Sequence, residues 1–214
     1  MTDTLTRLLD GGVVAIVRLD SAAALQQVAE AVRAGGLTAL EYTMTTPGAL
    51  DALREASGRL GDDMLLGAGT ILDPETARAA ILAGARFIVT PTLNRDVIAL
   101  CRRYSVPIIP GAFTPTEILT AWEAGADLVK VFPAGVLGPG YFRDVLAPLP
   151  QVRLAPTGGV NERTAPEFFK AGAAAIAVGS ALIDRATVAA GDWAEITRRA
   201  RVYAEIARSA RTKD

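Results

Sequence analysis

The chain has 214 residues, half of them hydrophobic, which is material for one sizeable core and about one domain. A formal net charge of −1 gives no electrostatic case for a nucleic-acid or anionic-membrane partner, and no apolar run reaches the ~18–20 residues of a membrane span. Histidine is absent, so Ser-His and Cys-His catalysis and every His-ligated metal site are excluded, and one cysteine, Cys101, closes no internal disulfide.

The first residues, Met-Thr-Asp-Thr-Leu-Thr-Arg, lack a basic region followed by an apolar stretch, so no secretory signal is expected and a cytoplasmic protein is. An N-terminal helix is expected ahead of the first strand. Short apolar, β-rich runs then recur at residues 13–17, 39–43, 64–67, 87–90, 107–110, 127–132, 152–156 and 174–178. They begin every 20–26 residues, with helix-like stretches between them. Strands alternating with helices indicate βαβ units and a parallel sheet. Runs that are continuously apolar suit strands covered on both faces. Eight such units favour a closed (β/α)8 TIM barrel over an open doubly wound sheet, and no linker divides residues 1–214, so one α/β domain is expected.

Local signals sharpen the boundaries. Thr46-Pro47, Asp73-Pro74 and Thr114-Pro115 each read as a capping residue before a first-turn proline. Ala34-Gly35-Gly36, Ala83-Gly84-Ala85, Ala124-Gly125-Ala126 and Ala171-Gly172-Ala173 form a faint repeat where a helix ends before an even-numbered strand. After the eighth strand Trp193, Ile196, Ala200, Tyr203, Ile206 and Ala207 recur at helical spacing, a closing amphipathic helix with Arg198, Arg199, Arg201 and Arg208 largely on its wet side. Cys101 reads as a packing residue in a helix.

The sixth run is the most informative. Of 22 lysine and arginine residues only three are lysine, at 130, 170 and 213, and Lys130 stands between Val129 and Val131 with Leu128 and Phe132 on its own face. An ammonium there is costly unless paired or deprotonated. Burial lowers a lysine pKa, and the neutral amine is the form that attacks a ketone. Arginine stays protonated and has no such use. The bland reading is a lysine snorkelling to solvent or pairing with a carboxylate. Glu41 interrupts the second strand at its carboxyl half, the end at which barrel active sites are built. Schiff-base chemistry needs a group that passes protons, and without histidine a carboxylate is the natural one. A purely structural Lys130–Glu41 ion pair is the competing reading.

Other strand ends supply a pocket. Arg18 ends the first strand and suits a substrate carboxylate. Thr70, Pro91 and Thr157 end strands three, four and seven. Gly158-Gly159 after strand seven and Gly179-Ser180 after strand eight suit a phosphate held by backbone N–H groups, with two ligand-free turns as the plain alternative. Gly67-Ala-Gly-Thr70 lacks the third glycine of a dinucleotide loop, and that reading is rejected.

Taken in order, Val-Ala-Ile-Val-Arg, Leu-Glu-Tyr-Thr, Gly-Ala-Gly-Thr, Val-Thr-Pro, Ile-Pro-Gly, Leu-Val-Lys-Val-Phe-Pro-Ala, Pro-Thr-Gly-Gly-Val and Val-Gly-Ser-Ala-Leu resemble the 2-keto-3-deoxy-6-phosphogluconate (KDPG) aldolase family, which includes 4-hydroxy-2-oxoglutarate (KHG) aldolase activity. The resemblance runs from about Val13 to Leu182. It implies a class I aldolase without metal or other cofactor, cleaving KDPG to pyruvate and D-glyceraldehyde 3-phosphate, with Lys130 as Schiff-base lysine and Glu41 as proton shuttle. It implies a pyruvate contact at Thr70, phosphate contacts at Gly158, Gly159 and Ser180, and a homotrimer; beside these, Arg18, Thr45, Pro91, Phe132 and Thr157 complete the expected substrate-binding set, and Gly179 the phosphate-binding set. One departure stands out: some members carry arginine four residues after the glutamate, this chain has Thr45, and Arg18 becomes the carboxylate anchor. Members acting on the galactonate epimer also resemble the chain, while Thr157 before Gly-Gly suits the gluconate type. A phosphosugar isomerase or synthase, a catalytically silent phosphate-binding barrel and an aldolase for non-phosphorylated substrate are the rival readings.

Overall fold

The computed structural model describes residues 2–212; Lys213, one of the three lysines, lies outside them. Among the described residues ten α-helices and nine strand segments follow one another: α1 (Thr2–Gly11), β1 (Val13–Val17), α2 (Leu25–Ala34), β2 (Ala39–Thr43), α3 (Ala49–Leu60), β3 (Leu65–Gly69), α4 (Pro74–Leu82), β4 (Phe87–Val89), α5 (Arg95–Arg103), β5 (Ile108–Ile109), β6 (Gly111–Ala112), α6 (Pro115–Glu123), β7 (Val129–Val131), α7 (Ala134–Leu146), β8 (Leu154–Pro156), α8 (Ala165–Lys170), β9 (Ile176–Val178), α9 (Arg185–Ala189) and α10 (Trp193–Arg211). Each expected apolar run coincides with a strand, the third running on past its expected end to Gly69, and the expected N-terminal and closing helices are α1 and α10.

All strand pairings are parallel. Six strands form a curled sheet in the order β5-β4-β3-β2-β1-β9, and three form a second in the order β6-β7-β8. The fifth run is split, because Pro110 has no N–H to give to a ladder. Before it, Ile108 and Ile109 pair with β4; after it, Gly111 and Ala112 pair with β7. On the other side, a bridge between Thr157 and Ala177 and a bond from Ala174 N–H to the Leu154 carbonyl (2.9 Å) join β8 to β9.

Alternation along the strands sorts side chains into two apolar layers. Val14, Ala39, Leu65, Phe87, Val89, Ile109, Leu128, Ala155, Ala175 and Ala177 meet on the concave face, where Leu8 of α1 joins them. Val13, Ala15, Val17, Leu40, Tyr42, Val129, Val131 and Leu154 point outward into the helices. Burial on both faces is why the strands read as continuous apolar runs.

The caps hold with one exception. Asp73 accepts from Thr76 N–H at 2.6 Å, and Thr114 with Glu117 forms a capping box on α6. Thr46 does not cap α3, whose N-cap is Gly48. Its hydroxyl instead accepts from Leu19 N–H (3.2 Å) and meets Thr43, fixing the loop after β2 to the loop after β1. The four Ala-Gly repeats end α2, α4, α6 and α8 as expected, with φ of 89°, 102°, 101° and 96° at Gly36, Gly84, Gly125 and Gly172. On α10 Ile196, Ala200, Tyr203 and Ala207 are buried, but Arg199 departs from the expected wet side. It is half-buried, bonding Asp184 at 2.6 Å and Glu195 at 2.7 Å, and so ties α9 to α10. Cys101 is buried and free, and among the described residues no helix is long and apolar enough to cross a membrane.

Candidate active site

A cavity of about 430 Å3 opens where the strands end. Eleven of the twelve residues expected at the site line it: Arg18, Glu41, Thr70, Pro91, Lys130, Phe132, Thr157, Gly158, Gly159, Gly179 and Ser180. The twelfth, Thr45, stands behind Arg18.

Lys130 sits at the centre of β7 and is 6 % exposed; Glu41 sits at the centre of β2 and is 1 % exposed. Both point to the concave face, since Leu128 two residues earlier and Ala39 two residues earlier belong to the concave layer. Burial drives the Lys130 amine below the usual lysine range; the Glu41 charge opposes that fall and the Arg18 charge adds to it. Burial likewise drives the Glu41 carboxyl above the usual range, against the pull of Lys130 and Arg18. Both groups are therefore pushed towards their neutral forms. Glu41 Oε2 is buried without a hydrogen-bond partner, as is Thr157 Oγ1. A buried polar atom left open in this way is unusual and costly, and it leaves the group free for another molecule. Lys130 Nζ lies 5.0 Å from the centre of the Phe132 ring, which is part of the cavity's rim.

Arg18 extends from the end of β1 between two hydroxyls. It donates to Thr45 Oγ1 (2.9 Å) and to Thr70 Oγ1 (3.0 Å). Thr70 holds φ at +57°, a conformation that threonine rarely adopts. The two hydroxyls occupy part of the guanidinium fork without neutralising its charge, so the rest suits a carboxylate.

The opposite wall is glycine-rich. Gly158 and Gly159 have φ of +80° and +81°, and a Cβ on Gly159 would lie 2.7 Å from Gly135 Cα. Gly135 N–H donates to the Gly158 carbonyl and Ala134 N–H to the Thr157 carbonyl, both at 2.8 Å, which seats the loop on the start of α7. Among the described residues no backbone hydrogen bond engages the N–H of Gly159 or of Ser180. Free N–H groups at adjacent turns make a cradle for an anion.

Ile16, Val160, Asn161, Ala177 and Ala181 also line the cavity and were not expected there. Alternation gives Ile16 and Ala177, two residues before Arg18 and Gly179. Asn161 looks like a turn residue in the sequence, and its Oδ1 indeed accepts from the N–H groups of Arg163 and Thr164, both at 3.1 Å.

Comparison with known proteins agrees with this geometry. The sequence pattern of the KDPG and KHG aldolase family matches residues 5–199. The 2-dehydro-3-deoxy-phosphogluconate aldolase of Pseudomonas aeruginosa is 36 % identical over 93 % of this chain and 90 % of its own. The 2-dehydro-3-deoxy-6-phosphogalactonate aldolase of Escherichia coli is 35 % identical over 71 % of this chain and 75 % of its own. A structure of KDPG aldolase from Legionella pneumophila, with pyruvate captured as a covalent carbinolamine, superposes with a TM-score of 0.87 at 27 % identity, over 94 % of this chain and 97 % of that one.

Proposed function

The chain belongs to the KDPG and KHG aldolase family, and on that premise we propose that Lys130 and Glu41 carry its Schiff-base chemistry. The reaction is that of a class I carbon–carbon lyase, cleaving KDPG to pyruvate and D-glyceraldehyde 3-phosphate. One observation supports the residue assignment above the rest: a buried amine and a buried carboxyl group share one cavity, each displaced towards neutrality, with a carboxyl oxygen unpartnered.

The neutral Lys130 amine adds to the C2 ketone and forms a carbinolamine. Glu41, protonated, gives its proton to the departing hydroxyl, and water leaves to form a protonated imine. The Glu41 carboxylate then takes the C4 hydroxyl proton. The C3–C4 bond breaks, its electron pair passes to the iminium as an enamine, and D-glyceraldehyde 3-phosphate departs. The enamine takes a proton at C3, and water hydrolyses the resulting imine to pyruvate and the free amine. Arg18 holds the C1 carboxylate, and the N–H groups beside Gly158, Gly159, Gly179 and Ser180 hold the phosphate, with Thr70, Pro91, Phe132 and Thr157 shaping the space between.

We further read the nine strand segments as one closed eight-stranded barrel, β5 and β6 being halves of the fifth strand, and residues 1–214 as one domain. A homotrimer in the cytoplasm follows from the same family resemblance; exposed Leu72, Leu82 and Val136 are apolar surface that a subunit contact would cover. The galactonate epimer is the second reading, favoured by the similarity to the Escherichia coli enzyme.

Borohydride reduction in the presence of pyruvate, followed by peptide mass mapping, tests the assignment. Pyruvate should be fixed on Lys130; a stable adduct elsewhere, or none, overturns it. Turnover of KDPG, its C4 epimer and non-phosphorylated 4-hydroxy-2-oxoglutarate then ranks the substrates. Ser180→Asp, which sets a carboxylate against the phosphate, should depress only the phosphorylated pair.

A further inference from the structure

The Gly67-Ala-Gly-Thr70 segment is no dinucleotide loop, yet its glycines occupy the concave face of β3, where the neighbouring strands carry large side chains. Their missing Cβ atoms are used by those neighbours. A Cβ on Gly67 would fall 2.3 Å from the Phe87 ring. A Cβ on Gly69 would fall 1.7 Å from Glu41 Oε1, 2.2 Å from its Cδ and 2.5 Å from its Cγ. The Glu41 side chain thus lies in the space that residue 69 leaves vacant.

We infer that Gly69 is a positioning residue, whose bare backbone holds the Glu41 carboxyl in the cavity by shape. This rests on the reading of Glu41 as the acid–base group. Catalytic carboxylates are commonly oriented by hydrogen bonds, but here Glu41 Oε2 has no partner. A group that must both give and take a proton benefits from remaining unbonded, and its direction then has to come from packing. Register supplies it: Glu41 stands opposite Gly67 and Thr43 opposite Gly69, so the side chain leans one pair up the ladder. The backbone of Gly69 is ordinary extended strand, outside the left-handed region. Alanine would strain nothing in the backbone itself; the conflict is with Glu41, to which all three atoms nearest that Cβ belong.

The test is a double-mutant cycle on turnover. Gly69→Ala should lower kcat by about 10²–10⁴-fold, the range for losing a placed acid–base group, while KM changes little and pyruvate with borohydride still marks Lys130. Added to Glu41→Gln, the same change should cost nothing more. Full activity in Gly69→Ala, or losses that multiply in the double variant, overturns the inference. A Glu41→Gln enzyme as fast as the parent sinks the acid–base reading instead, which separates the two failures. Should Gly69→Ala not fold, Glu41→Ala/Gly69→Ala should fold, since the clash is gone; if that variant also fails, the crowding lies elsewhere and the inference falls.

Discussion

One residue separates Leu128 from Lys130, and the same interval separates Ala39 from Glu41 and Ala155 from Thr157. In each pair both side chains face the concave side and both are buried, Leu128 at 1 % and Lys130 at 6 % exposed. The lower member only packs, contributing roughly 25 cal/mol for each Å2 of apolar surface removed from water. For the upper member the same loss of water is a cost, which shows as a displaced pKa at Lys130 and Glu41 and as an unpartnered hydroxyl at Thr157. Depth along the strand, rather than burial, divides fold from function. The floor stabilises the sheet so that the mouth can hold, near their neutral forms, groups that water would otherwise ionise.

The sharpest way to break this contrast is Lys130→Arg. It keeps similar bulk but replaces the one amine among the cavity's lining residues with a group that stays protonated. Aldol cleavage should fall to the uncatalysed background, and pyruvate with borohydride should fix nothing. Cleavage persisting at a measurable fraction of the parent rate would return Lys130 to the structural role of its neighbours.

The charges around the amine give a second test, with opposite signs. Glu41→Gln should lower kcat by about 10²–10⁴-fold as the proton shuttle is lost. Arg18→Ala should lower kcat/KM by about 10–150-fold, the loss of a charge-assisted pair worth ~1.5–3 kcal/mol. The amine must be neutral to react, so activity falls as pH drops through the Lys130 pKa, which is coupled to Glu41. The Glu41 charge raises that pKa, so residual activity in Glu41→Gln should persist to lower pH than in the parent. The Arg18 charge lowers it, so the acid limb of Arg18→Ala should move to higher pH. Limbs that move together would mean that the pair is not in electrostatic contact with Arg18.

Lys130 and Glu41 were legible in the sequence because a charge inside an apolar run contradicts its surroundings, and Arg18 because it ends such a run; one strand is enough context to see either. The glycine turns were legible because φ near +80° at Gly158 and Gly159 is a demand on residue type. What escaped depends on partners far along the chain. Gly69 has no local signature, since its purpose is a space filled by residue 41. Thr45 read in the sequence only as a departure from the expected pattern; the fold shows its hydroxyl 2.9 Å from Arg18. The split at Pro110, the Thr46 hydroxyl drawn to Leu19 and the half-buried Arg199 escaped for the same reason, tertiary bonds outbidding a local pattern. The βα period was easy to see because each unit repeats a demand that neighbouring residues satisfy.

The smallest effect on chemistry should come from the floor itself. Leu128→Ala removes buried methyls from the strand that carries Lys130 and should destabilise the fold by about 2–5 kcal/mol, depending on how far the cavity collapses. Per folded molecule, kcat should stay close to the parent value, because Leu128 touches neither substrate nor proton and the mouth keeps its cover from Phe132 and the glycine loops. Denaturant unfolding and active-site-titrated kinetics on the same preparation separate the two quantities. A large fall in kcat, accompanied by an acid limb shifted to higher pH, would mean that water reaches the Lys130 amine through the new void and lifts its pKa. The floor would then be part of the apparatus that keeps the amine neutral, and the boundary between the layers would lie below Leu128.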